Sequence, residues 1–188
     1  MTSDLPLPLA SGERPPVADA VKVKVIDDGS GRHHSARTKA RKAALDVLYD
    51  AEVTDRDPLG LLIADPMSVR PLTDEIVNGV VSHGNAIDQT ITLALMGDWT
   101  LQRMPAVDRA LARLATWELL YTHTPSAAVI AEAVALADEY STDGSASFLT
   151  AVLGRVAEAH QPLRDARGET DRAGRARPAT LDPEDKHA

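Results

Sequence analysis

Residues 105–121, PAVDRALARLATWELLY, are the stretch of sequence that decides the fold. Pro105 sets the entry into the segment, and apolar residues then recur at the three- and four-residue spacing of one helical face. That face comprises Val107, Ala110, Leu111, Leu114, Trp117 and Tyr121. The stretch therefore predicts an amphipathic α-helix whose apolar side packs into a core.

Helical periodicity continues on both sides of this stretch. The first helix is predicted from about Ser35 to Val53, and Asp57-Pro58 supplies an N-cap and a first-turn proline for a short second helix. A third segment starts near Pro71, and Gly84 is expected to kink or divide it. Two more segments follow, starting after Pro125 and at Ser145, which is expected to cap the last helix.

Composition supports an all-helical protein. Alanine supplies 30 of the 188 residues, whereas aromatic residues make up only 3%. Small side chains let helices approach closely, and a shortage of aromatics suits sheets poorly. Short connections between the segments favour antiparallel neighbours. We therefore expect an all-α fold, a compact bundle of about seven helices.

Both ends of the chain lack such a pattern. Residues 1–34 contain several prolines and a Gly-Ser-Gly run, and residues 161–188 mix charges and prolines with little to bury. We expect the first to be a disordered extension and the second to be a disordered tail.

Several function classes find no support in the sequence. The chain has no cysteine, so it forms no disulfide and offers no thiol nucleophile. Its six histidines lack metal-ligand spacing, and no Gly-rich phosphate loop follows a strand. No apolar run has the length of a membrane span, and no signal peptide is evident. We predict a cytoplasmic binding protein with no catalytic site, metal or cofactor.

A basic block opens the first predicted helix. Arg37, Lys39, Arg41 and Lys42 all fall in a gap without acids between Asp28 and Asp46, although the net charge is -8. Cations are disfavoured at a helix N-terminus because the macrodipole is positive there. The block therefore fits a polyanionic partner such as a nucleic-acid backbone, or else a solvated charged face.

Four runs of the chain, taken in order, match the pattern of one known family: the basic first helix (36–49), DWTLQRMPAVDRALARLATWELLY (98–121), VIAEAVALA (129–137) and FLTAVLG (148–154). Together they resemble the NusB family of bacterial transcription antitermination factors, and the sequence of residues 98–121 is similar to that of actinobacterial members. The resemblance covers about residues 35–158.

The resemblance implies two small helical subdomains, about 35–96 and 99–158. It also implies binding to the boxA element of nascent ribosomal RNA leaders as single-stranded RNA. The ribosomal protein NusE is the implied partner, within an elongating RNA polymerase complex that holds other Nus factors. A homodimer that hides the RNA face is compatible with this fold.

Site residues follow by the same analogy. RNA contacts are expected from Arg37, Lys39 and Arg41, with Lys42 beside them. Partner contacts are expected from Tyr49, Asp108 and Phe148. The residues themselves also allow structural roles: Asp108 suits the first turn of its helix, and Phe148, Trp99 and Trp117 suit packing faces. Glu118 is expected to pair with Arg113 or Arg109.

The chain departs from the family pattern at Gly144, Ser147 and Thr150, around Phe148. Two alternatives to the RNA factor therefore stay open. One is a helical protein-interaction adaptor that has lost RNA binding. The other is the helical appendage of an rRNA cytosine methyltransferase, for which the methyltransferase domain is missing.

Overall fold

The computed structural model describes residues 35–64 and 70–175, which form seven α-helices and one 3₁₀ turn. This confirms the all-α prediction. The helices are α1 Ala36–Thr54, α2 Pro58–Ala64, α3 Pro71–Ser82, α4 Gly84–Ala94, α5 Ala106–Tyr121, α6 Ser126–Tyr140 and α7 Ser145–Arg175, with the 3₁₀ turn at Leu101–Arg103 between α4 and α5.

Local capping explains where the helices start. The Ser35 hydroxyl accepts a hydrogen bond from the Thr38 amide at 3.0 Å, which satisfies one free donor at the start of α1. The Asp57 carboxylate does the same for α2, since it accepts from the amides of Leu59 and Gly60. Near Gly84 the predicted division is also present, because α3 ends at Ser82 and α4 begins at Gly84.

Helix α5 lies at the centre of the fold, because α1, α3, α4, α6 and α7 all pack against it. Ten of its sixteen residues are buried. A single core contains buried residues from the predicted halves 35–96 and 99–158 alike, including Ile76, Ile91, Leu111, Leu136 and Leu153. The two predicted subdomains therefore share one core in the described residues, and the division into subdomains stays a prediction.

The C-terminal helix is longer than predicted. It continues to Arg175 with Pro162 inside it. The expectation of a disordered tail from residue 161 stays a prediction. Residues 161–175 contain four arginines, which are good helix formers, and the Gln161 amide donates to Asp165 at 2.8 Å across one turn. These features favour the helix, whereas Pro162 removes one of its hydrogen bonds.

Three stretches lie outside the described residues: 1–34, 65–69 and 176–188. The predicted disordered extension and the end of the predicted tail fall there and stay predictions. In the described part of the chain, no helix has the length and apolar character needed to cross a membrane.

Helices α3 and α5 approach closely at Gly79. A methyl group placed on Gly79 would lie 2.0 Å from the Trp117 indole nitrogen and 2.1 Å from the adjoining ring carbon. Trp117 is buried and therefore cannot swing aside. Glycine at position 79 lets the indole fill the space between the two helices.

We predict that Gly79→Ala lowers the free energy of unfolding by about 1–3 kcal/mol, because the added methyl group overpacks the core. Gly84→Ala is the matched control, since an added methyl group there meets nothing within 4 Å. Urea denaturation followed by circular dichroism measures both. An unfolding midpoint for Gly79→Ala equal to that of Gly84→Ala would contradict this packing.

Candidate nucleic-acid interface

Two cations of the basic block are exposed at the start of α1. The side chains of Arg37 and Lys39 lie in the first turn, directly after the Ser35 cap. This turn contains no acidic residue. Their charges therefore face solvent at the positive end of the helix dipole, where a phosphate group could neutralise them.

Lys42 is half-buried beside these two residues. Its ammonium group lies 3.7 Å from the Asp46 carboxylate, one turn along α1, and 5.2 Å from the centre of the Tyr140 ring at the end of α6. Lys42 thus directs its charge toward the junction between α6 and α7. An exposed i,i+4 pair of this kind is weak and leaves the lysine able to reach a phosphate.

The structure does not place Arg41 with these exposed cations: its guanidinium is buried, and the predicted RNA contact by Arg41 stays a prediction. Arg41 is only 3% exposed and Glu118 only 1%. Its Nε donates to Glu118 Oε1 and its Nη2 to Glu118 Oε2, both at 2.7 Å. The Nε and Nη2 edge of the guanidinium is therefore occupied by a buried carboxylate and is not available to a phosphate in this arrangement.

This pair also corrects the predicted partner of Glu118, which is neither Arg109 nor Arg113. The hydrogen bonds to Glu118 raise the pKa of the Arg41 guanidinium above its ordinary value, by more than burial lowers it. A second carboxylate, that of Glu132 in α6, lies 3.7 Å from Arg41 Nη1. Arg41 therefore ties α1 to α5 and α6.

Arg109 and Arg113 hold the opposite end of α1. Arg109 and Arg113 both donate to the Glu52 carboxylate, and Arg113 also donates twice to Asp88 in α4, at 2.7 and 2.8 Å. The hydrogen bonds that Arg113 donates to Asp88 raise the pKa of Arg113 despite its burial. Each end of α1 is thus fixed to α5 by ion pairs.

Sequence reasoning missed one exposed cation near the block. The Thr73 hydroxyl donates to the Ala40 carbonyl at 3.0 Å, which brings the start of α3 against the first half of α1. Arg70 is exposed at the N-cap position of α3, three residues before Thr73. No local pattern marked this residue, because its position depends on a contact between residues 33 apart in the chain.

Of the predicted partner-binding residues, Tyr49 lies on the surface and Asp108 does not. Tyr49 is half-buried, two turns beyond Lys42 on the same side of α1. Asp108 is 2% exposed and accepts hydrogen bonds from Ser141 at 2.5 Å and from Ser145 at 2.8 Å. Its carboxylate therefore fixes the turn between α6 and α7 and does not face solvent, and the predicted partner contact by Asp108 stays a prediction.

Ser145 also differs from its predicted role as a cap. It is the first residue of α7, and its buried hydroxyl donates to Asp108 and accepts from the Thr142 amide at 3.3 Å. The hydroxyl therefore bonds outside α7, and the bond to Asp108 ties the first turn of this helix to α5.

Phe148 lies in that first turn of α7 and is half-buried against the core. Its ring centre is 4.9 Å from that of Trp99, which is 47% exposed. The prediction that Trp99 occupies a packing face is therefore wrong, because residues 95–100 form a loop between α4 and the 3₁₀ turn. Trp117 is a core residue, as predicted.

We predict that Arg41→Ala lowers the free energy of unfolding by about 3–5 kcal/mol, since it leaves the Glu118 carboxylate buried without a counter-charge. Lys39→Ala is the matched control in the same helix, and we expect it to change stability by less than about 0.5 kcal/mol. Chemical denaturation measures both. If Arg41→Ala lowered the free energy of unfolding no more than Lys39→Ala does, the Arg41–Glu118 ion pair would not anchor α1 to α5.

In the described ranges, no group of three acidic or histidine side chains is arranged to hold a metal ion. The chemistry at this surface is instead that of exposed cations beside aromatic rings. Such surfaces suit the backbone and bases of a nucleic-acid strand.

Comparisons with known proteins agree with this fold. The NusB family pattern matches residues 38–158. The transcription antitermination protein NusB of Cutibacterium acnes is 42% identical over 169 residues, which are 87% of this chain and 64% of the relative. Further curated NusB relatives from actinobacteria lie between 36% and 48% identity.

Solved structures show the same architecture. NusB from T. maritima superposes with a TM-score of 0.60 at 30% identity, over 66% of this chain and 92% of that one. A structure of the antitermination factors NusB and NusE in complex with double-stranded RNA gives a TM-score of 0.57 at 24% identity, over 65% and 96% of the two chains. With the family pattern spanning well over half of its residues, this chain belongs to the NusB family.

Proposed function

We propose that this protein is a transcription antitermination factor that binds the boxA element of nascent ribosomal RNA leaders. The observation that carries the proposal is the pair of exposed cations, Arg37 and Lys39, at the start of α1 in a protein of net charge -8. Family membership supports the RNA as their anionic partner. Because such a factor acts on RNA as it is transcribed, the proposal places the protein in the cytoplasm.

The RNA backbone would lie along the first turns of α1. Arg37 and Lys39 would each neutralise one phosphate, and Lys42 would reach a third beyond the Tyr140 ring. Phosphate contacts give affinity and position without reading sequence. Sequence would be read from unpaired bases, because single-stranded RNA exposes the base edges and faces.

A protein partner would contribute to the binding and recognition of the RNA. We propose NusE, the ribosomal protein of the small subunit, as that partner, and an elongating RNA polymerase complex with other Nus factors as the setting. A protein of the same fold has been crystallised with NusE and double-stranded RNA, and that complex supports the proposal. Tyr49 is the partner-facing residue we retain, because its half-exposed ring continues the side of α1 that carries Lys42.

The alternative is a helical adaptor that binds the protein partner alone. Three exposed residues depart from the family pattern close to Phe148: Gly144, Ser147 and Thr150. The adaptor would bind NusE with an affinity that does not depend on RNA, and Arg37 and Lys39 would then be a solvated face only.

We predict that the protein binds a boxA-containing single-stranded RNA and that Arg37→Ala/Lys39→Ala flattens the salt dependence of binding. Each lost phosphate contact reduces the magnitude of the slope of log affinity against log salt by about 0.7. The slope of the double variant should therefore be about 1.4 smaller in magnitude than that of the wild type. Fluorescence anisotropy with labelled RNA over a salt series, with and without NusE, measures the slopes.

Arg56→Ala is the matched control, since this exposed arginine lies just beyond the far end of α1. It should leave the slope unchanged. A slope equally unaffected by the Arg37→Ala/Lys39→Ala pair would remove these residues from the RNA site. Binding to NusE without any binding to RNA, in either mixture, would establish the adaptor instead.

A further inference from the structure

Trp99 is the least expected side chain on the surface. Large aromatic rings are usually buried, and the chain contains only two tryptophans. Trp117 is 5% exposed in the core, whereas Trp99 is 47% exposed in the loop between α4 and the 3₁₀ turn. The fold accounts for Trp117, but core packing does not account for the exposed part of Trp99.

The loop holds this ring in a fixed position. One side of Trp99 rests against Phe148, with ring centres 4.9 Å apart and ring planes inclined at 45°, and the Arg103 guanidinium carbon is 5.8 Å from the Trp99 ring centre. Arg103 also donates to the Asp98 carbonyl at 2.7 Å. Gly97 turns the chain before it with a φ of 62°.

A second arginine fixes the other end of the loop. Arg109 donates to the carbonyls of Leu101 at 2.6 Å and Met104 at 2.9 Å, and it is itself held by Glu52 in α1. The exposed part of Trp99 is therefore presented before any ligand arrives, and little conformational entropy remains to be lost on binding.

Trp99 and the basic block contact the two helix ends that flank one turn. Lys42 lies over Tyr140, the last residue of α6, and four residues of turn then lead to α7. Phe148 in the first turn of α7 contacts Trp99. A cation therefore lies beside a ring on each side of this turn, Lys42 at Tyr140 and Arg103 at Trp99.

We propose that Trp99, supported by Phe148 and Arg103, is a stacking platform for one unpaired base of the bound RNA. This inference rests on the proposed function and adds a base-contacting residue to it. Proteins hold single strands with cations that follow the backbone and aromatic faces on which bases stack. The flanking cations favour an RNA strand over a protein surface, and they assign Phe148 to RNA rather than to NusE.

The test compares Trp99→Leu with Trp99→Phe, using the boxA-containing RNA and a set of copies that each carry one abasic nucleotide. Trp99→Leu should weaken binding about ten-fold, because a stacked base is lost, while Trp99→Phe should retain most of the affinity. The salt slope should stay that of the wild type in both variants, since a lost stacking contact releases no counterions. Unfolding midpoints check that both variants are folded.

The abasic RNAs identify the stacking partner. With the wild type, one abasic RNA should bind about ten-fold more weakly than the intact RNA. With Trp99→Leu, that abasic RNA and the intact RNA should bind equally well, because the stacking contact is already lost. Wild-type protein that binds RNA with an affinity unaffected by Trp99→Leu would overturn the platform and leave the proposed function standing. Wild-type protein that binds no RNA would overturn both. Weaker binding to NusE alone, with RNA binding unchanged, would assign Trp99 to the protein partner instead.

Discussion

The buried ion pair between Arg41 and Glu118 is the constraint on which the candidate site depends. It joins the first half of α1 to the central helix α5 through two hydrogen bonds of 2.7 Å. Ala40, next to it in sequence, is likewise buried, whereas Lys39 and Arg37 are exposed. The ion pair therefore fixes where α1 leaves the core and which of its cations face solvent. Removing one partner would leave the other charge buried without a counter-charge. This destabilises the folded state far more than an exposed ion pair stabilises it.

The helices and their starts could be predicted from the sequence because the signals that determine them are local. Ser35 caps α1 through the Thr38 amide, Asp57 caps α2, and the apolar stripe of residues 105–121 forms the buried face of α5. Arg41 could not be assigned in the same way. Its partner is 77 residues away, and nothing in the basic block distinguishes the buried cation from its exposed neighbours. The burial of Asp108 could not be predicted for the same reason, since its two serine partners lie more than 30 residues further along the chain.

Trp99 failed as a core prediction for a different reason: an apolar residue in a loop follows no helical period, so its burial cannot be inferred from spacing. Helix α7 continues through Pro162 to Arg175, which local signals do not indicate because proline usually ends a helix. The departures from the family pattern around Phe148 are easier to interpret with the structure. Gly144, Ser147 and Thr150 are all exposed, and an added methyl group on Gly144 would meet nothing within 4 Å. These differences therefore alter the surface beside the rings and leave the core intact.

The most direct test of this account separates the anchoring role of Arg41 from RNA contact. In Arg41→Met/Glu118→Leu both charges are replaced by apolar side chains, a change that buried ion pairs often tolerate with little loss of stability. We predict that the apolar pair keeps α1 packed on α5 together with the buried Ala44 and Leu48. The variant should therefore fold, bind boxA-containing RNA within about two-fold of the wild type and keep the wild-type salt slope, because a residue that touches no phosphate releases no counterion. A folded variant whose slope falls by about 0.7, the loss of one phosphate contact, would contradict the account and return Arg41 to the RNA site.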